Sequence, residues 1–100
     1  MLSQVDRTVP DELRALRMEM GKWLRQLREA KGFSQRDLAT TLNLDYYTFI
    51  SQLENGRGRI PPARYGEWAD ALGVDRRLFV TQVLYFTEPH TYDILFGDTD

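Results

Sequence analysis

Between residues 46 and 59 the chain reads YYTFISQLENGRGR. Wound as a helix at about 100° per residue, Tyr46, Phe49, Ile50 and Leu53 gather on one side. Tyr47, Thr48, Ser51, Gln52 and Asn55 gather on the other. A helix face that only meets water generally carries Lys and Glu. This one carries a phenol, two hydroxyls and two amides, groups able to read base edges in a major groove, and the Arg57 and Arg59 that follow suit backbone phosphates. Solvated surface is the plainer reading of the same side chains. Tyr46 lies on the apolar side and is expected in the core. Glu54, acidic beside the polar face, is expected to pair within the protein rather than to touch a base.

Two short helices joined by a tight turn would position this face. Ser34 stands before a helical pattern as a cap, and Asp37, three residues on, completes a capping box with Asp in place of Glu or Gln. Phe33 and Leu38 occupy the positions of a hydrophobic staple. The same grammar repeats, with Asp45 as cap, Leu44 and Phe49 as staple, and Asn55-Gly56 as the stop, where Gly takes a left-handed backbone. The expected helices span about 35–42 and 46–55.

The segment Leu24–Leu72 resembles the lambda-repressor-like, Cro-type (XRE) helix-turn-helix family. The residues that carry the resemblance are LRQLREAKG (24–32), SQRDLA (34–39), FISQLENG (49–56) and WADALGV (68–74), in order and with family-like spacing. Two features depart from the pattern. Asn43 stands where the turn usually has Gly, and Asn also tolerates positive φ. The stretch LNLDYYT holds one residue more than the family norm, so Asp45, Tyr46 and Tyr47 each compete to start the recognition helix; the capping pattern favours Asp45. The resemblance implies double-stranded DNA as partner. It implies that Gln35, at the start of the second helix, touches a phosphate; Lys22, Arg25, Arg36, Asn55, Arg57 and Arg59 join it as expected backbone contacts. Tyr47, Thr48, Ser51 and Gln52 are the expected base readers.

The net charge of −2 conceals a division along the chain. Residues 1–20 sum to −1, residues 21–59 to +3 and residues 60–100 to −4. Local potential rather than total charge steers a polyanion, so the basic stretch coincides with the segment expected to meet DNA. One hundred residues imply a single domain with one modest core. It divides into an N-terminal extension over 1–20, a core over 21–80 and a C-terminal segment over 81–100. The chain contains no Cys, which excludes disulfides and thiolate metal sites, and a single histidine, His90. With one His and no concentrated carboxylate pair, neither a catalytic triad nor a metal cluster can be assembled, so no enzyme, cofactor or metal is expected. GRGR lacks the strand context of a phosphate-binding glycine loop. No apolar stretch approaches the about 20 residues of a membrane span. The start, MLSQVDRTVPDE, lacks the layout of a signal peptide, so a cytoplasmic location is expected.

The rest of the chain also reads as helix. Pro10 suits the N1 position of a helix whose apolar positions are Leu13, Leu16, Met20, Trp23, Leu24 and Leu27, continuous or broken near Gly21, and stopping at Lys31-Gly32. Pro61-Pro62 opens a helix with Tyr65, Trp68, Ala69 and Leu72 inward. Asp75 caps another with Leu78, Phe79, Val83 and Phe86 inward, and residues 90–96 form a short last helix. The expected fold is therefore all-α: a five- to six-helix, lambda-repressor-like helix-turn-helix domain with an N-terminal helical extension. Tyr85, Phe86, Tyr92, Ile94, Leu95 and Phe96 are an apolar load beyond what that core needs. They fold back onto the domain or form a dimer interface. The expected function is a sequence-specific transcriptional regulator, a dimeric repressor on a pseudo-palindromic operator. The alternative is an antitoxin or interaction module of the same fold whose DNA binding is autoregulatory.

Overall fold

The computed structural model describes residues 10–97. Residues 1–9, which hold most of the stretch MLSQVDRTVPDE and the first nine residues of the extension, and the last three residues of the C-terminal segment lie outside the described residues. Six α-helices follow in order: α1 Asp11–Ala30, α2 Gln35–Thr41, α3 Thr48–Glu54, α4 Tyr65–Leu72, α5 Arg76–Thr87 and α6 Pro89–Phe96. A 3₁₀ turn at Pro62–Arg64 leads into α4, and there is no strand among the described residues.

The helix ends follow from local sequence. Ser34 Oγ accepts from the Asp37 N–H at 3.0 Å while the Asp37 carboxylate accepts from the Ser34 N–H at 2.9 Å, which is the anticipated capping box. Asp75 caps α5 by accepting from Leu78 N–H at 3.1 Å. Four helices share one stop. Gly32, Asn43, Gly56 and Gly73 take positive φ, at 81°, 58°, 81° and 72°. The next residue's N–H then bonds back across the last turn: Phe33 to Arg28 O, Leu44 to Ala39 O, Arg57 to Gln52 O and Val74 to Ala69 O. Asn43 thus does in the turn what Gly does at the other three ends.

The core joins Met20 and Leu24 of α1, Leu38 and Ala39 of α2, Ile50 and Leu53 of α3, Trp68, Ala69 and Leu72 of α4, and Phe79, Val83 and Phe86 of α5. Trp23 lies between α1 and α5, 5.2 Å from the Phe79 ring and 5.5 Å from Phe86. α1 is one unbroken helix through Gly21. That glycine is required by packing: a Cβ there would lie 2.7 Å from the Leu53 carbonyl oxygen and closer still to that of Glu54. The absence of a side chain lets α1 cross the end of α3 at backbone distance.

Four expectations are corrected. α3 begins at Thr48, with Tyr47 at its N-cap and no side-chain acceptor there, so Asp45 caps nothing. The capping pattern is local, whereas the start of α3 is set by where Phe49, Ile50 and Leu53 reach the core. The extra residue of this loop is taken up in the bend and turn between Asn43 and Thr48. As a result Tyr46 is 75% exposed rather than in the core. Leu78 is 67% exposed, because the inward face of α5 runs through Phe79, Val83 and Phe86 at four- and three-residue steps. Phe86 is buried in its own domain against Trp23 and is unavailable to a partner.

Candidate nucleic-acid interface

The polar face stands on a short helix held from beneath. Ile50 and Leu53 are buried and anchor α3 in the core. Next to them lies Glu54, whose side chain is 6% exposed. Arg28 of α1, equally buried, grips it with both arms of its guanidinium: Nε donates to Oε2 at 2.6 Å and Nη2 to Oε1 at 3.1 Å. The third donor, Nη1, reaches the Phe33 carbonyl at 2.7 Å, and Gln35 Nε2 of α2 donates to Glu54 Oε1 at 3.0 Å. One carboxylate therefore ties α1, α2 and α3 together, with four charge-assisted bonds around the pair. The bond to Glu54 is the main reason that the Arg28 guanidinium is held even more firmly protonated than usual; burial opposes it, and the charges of Glu54 and Glu29 add to it.

This network was half legible. Glu54 pairs inside the protein, as expected from its position beside the polar face. Arg28 was missed. Its signal is present in the sequence, since it continues the Met20–Leu24 stripe by four residues and so falls on the buried side of α1. An arginine at an inward position needs a carboxylate partner.

With its acid turned inward, α3 presents no carboxylate on its outer side. Thr48, Gln52 and Asn55 are exposed, Ser51 is half-buried, and Tyr47 is 39% exposed at the helix start. These are the four expected base readers together with Asn55, on one face. Asn55 Nδ2 donates to Ser51 O at 2.9 Å, which fixes its side chain against its own helix. Arg57 is carried into place by the helix stop itself, through its N–H bond to Gln52 O at 2.8 Å. Its side chain has no ion pair among the described residues.

The other cations divide by engagement. Arg36 holds its guanidinium 5.0 Å from the centre of the Tyr47 ring, a cation–π contact that couples the first turn of α2 to the start of α3. Lys22 is exposed on α1. Arg25 is paired with Glu29 at 3.0 Å, and Arg59 with Glu88 at 3.5 Å, both on the surface. Gln35 is half-buried with one amide hydrogen committed to Glu54, so only the rest of that amide faces outward. Away from this face, Tyr85, Ile94, Leu95 and Phe96 are 39%, 79%, 60% and 53% exposed, and the Tyr92 ring packs 5.3 Å from Tyr85 and 5.1 Å from Phe96. No helix among the described residues is long and apolar enough to cross a membrane.

A family model described as a helix-turn-helix domain matches residues 19–79 of the chain. That span runs from the second half of α1 to the first turn of α5 and includes the Arg28–Glu54 pair, the turn at Asn43 and the whole of α3. No curated protein matches the chain.

Proposed function

Because the chain belongs to the helix-turn-helix domain family, we propose that it is a sequence-specific DNA-binding transcriptional regulator, acting in the cytoplasm as a dimeric repressor on a pseudo-palindromic operator. The observation that carries this reading is the sorting of charge on α3. Its only carboxylate is sequestered by Arg28, and what faces outward is a set of neutral donors and acceptors flanked by Arg36, Arg57 and Arg59. A face sorted this way offers hydrogen bonds to base edges without repelling the phosphates on either side.

In this reading α3 lies in the major groove. Thr48, Ser51 and Gln52 read bases, joined by Tyr47 at the helix start, where its ring also orients Arg36. Lys22, Arg25, Gln35, Arg36, Asn55, Arg57 and Arg59 hold the backbone. Arg57 is the strongest candidate among them, and Arg25 must exchange Glu29 for a phosphate. One such domain reads too few base pairs for tight specific binding. Two copies related by a two-fold axis would set recognition helices in successive major grooves, about 34 Å apart. The exposed Tyr85, Tyr92, Ile94, Leu95 and Phe96 on α5 and α6 supply an apolar surface suited to pairing the copies.

The test is selection of sites from random duplex DNA by the purified full chain, followed by affinity across salt. With roughly four to eight phosphate contacts per dimer, the log–log slope is expected at roughly −4 to −7. Failure to enrich any sequence, or a flat salt response, overturns the reading.

A further inference from the structure

A second site lies at the C-terminal end of α3, where Leu53, Gly56 and Arg59 contribute to it. α1, the turn after α3 and the elbow between α5 and α6 line a partly open pocket of about 280 Å³. Its apolar lining includes Met20, Leu53 and Pro89, and its polar lining includes the cations Arg17 and Arg59, one carboxylate, Glu88, and the imidazole of His90. Arg17 is half-buried and makes no ion pair among the described residues. Its neighbour Arg59 is held only by Glu88, at 3.5 Å and on the surface. The one carboxylate of the lining, Glu88, is already shared with Arg59, which leaves Arg17 without an acidic partner among the described residues and the lining with one cation in excess. An anion brought in by a ligand would supply that partner.

We propose that this pocket binds a small amphipathic organic anion, one carboxylate or phosphate on a single aryl or branched-alkyl body. The anion would bridge Arg17 and Arg59, with His90 as a further donor, while the body covers Met20, Leu53 and Pro89. The volume is sufficient: a dry cavity of about 150 Å³ holds benzene, so a partly open pocket of 280 Å³ has room for a ring with its anionic substituent. The ligand would also be regulatory, a consequence that rests on the DNA-binding reading. Arg59 lines the pocket and is at the same time a proposed phosphate contact, and Gly56, the stop of α3, is part of the wall. Engaging Arg59 inward withdraws a cation from DNA, so the ligand acts as an inducer.

The test uses the full chain and three probes at constant ionic strength: phenyl phosphate, benzoate and the neutral benzyl alcohol, titrated by calorimetry. At least one anion is expected to saturate below 10 mM, with benzyl alcohol binding at least about tenfold more weakly. Arg17→Gln is expected to weaken the anion at least about tenfold with an unchanged melting temperature. Inorganic phosphate alone should bind more weakly than phenyl phosphate, since it leaves the apolar wall uncovered. Equal affinity for benzyl alcohol, no saturation by either aryl anion, or an indifferent Arg17→Gln overturns the site. A separate arm measures the selected DNA duplex with and without saturating anion. A rise of about tenfold in the DNA Kd supports the inducer role, and an unchanged Kd removes that role while leaving the binding site. Absence of DNA binding without any ligand refutes the regulator reading and leaves the calorimetry standing.

Discussion

Glu54→Ala probes the joint on which the recognition helix rests. The carboxylate it removes is 6% exposed and accepts from Arg28 at 2.6 and 3.1 Å and from Gln35 at 3.0 Å. The Arg28 guanidinium left behind is 8% exposed, with the Phe33 carbonyl at 2.7 Å and a half-exposed Glu29 at 4.0 Å as its remaining partners among the described residues. A surface ion pair contributes about 0–1 kcal/mol, whereas removing one member of a buried pair costs about 3–5 kcal/mol, because the other charge stays buried and unpaired. Burial of both side chains selects the second figure. Against a total stability of about 5–15 kcal/mol for such a domain, the loss is large. At about 4 °C or more per kcal/mol in a domain of this size, the melting temperature should fall by about 12 °C or more. Far-ultraviolet circular dichroism measures both, the free-energy loss by urea unfolding and the shift in melting temperature by a thermal scan. Replacing both partners, Arg28→Met with Glu54→Leu, should recover most of the loss, since no charge is then stranded. A cost below about 1 kcal/mol for Glu54→Ala, or a double variant no more stable than the single one, would refute the reasoning.

The other expectations are independent of that pair. Gly21→Ala should destabilise by about 1–3 kcal/mol through overpacking against the α3 carbonyls, although Ala is the better helix former by about 1 kcal/mol; a gain in thermal stability would contradict the close approach. The Asp37 carboxyl is held below the ordinary aspartate range, first by the Ser34 N–H and then by its hydroxyl. A lowered folded value means that the stabilisation is fully present above about pH 4 and is lost as pH falls through that value. The stability gap between the natural chain and Asp37→Asn should therefore narrow on acidification, and a gap that widens in acid would be inconsistent with this sign. In DNA binding, Gln52→Ala should relax preference at particular base pairs by about 1–3 kcal/mol, while Arg57→Ala weakens all sequences alike and lowers the salt slope by about one unit per subunit; base-specific losses from Arg57→Ala would reverse the assigned roles. Leu95→Glu, on a side chain 60% exposed, should leave the fold intact and shift light scattering toward monomer, and an unchanged mass would exclude the α6 surface as the dimer contact.

Local grammar carried much of this protein. The box at Ser34 and Asp37, the cap at Asp75, and the stops at Gly32, Asn43 and Gly56 are chemistry within a few residues, so the sequence determined them directly. The apolar stripes of α1 and α4, and the outward set Tyr47, Thr48, Ser51 and Gln52, followed from helical spacing for the same reason. What needed the tertiary structure was every choice between two locally acceptable states. Asp45 is as good a cap in isolation as Ser34, but the depth at which Ile50 and Leu53 seat in the core starts α3 at Thr48 and leaves Tyr46 in solvent. Gly21 reads as a possible break until the Leu53 and Glu54 carbonyls appear against it, where it becomes the condition for a continuous helix. Phe86 and Phe96 are alike as residues. One is claimed by Trp23 across the α1–α5 contact and the other is left facing out. Arg28 and Glu54 are separated by 26 positions, and no periodicity within one helix reports a partner on another. Spacing along a helix fixes which face a side chain is on, but only the packing of helices fixes what that face meets.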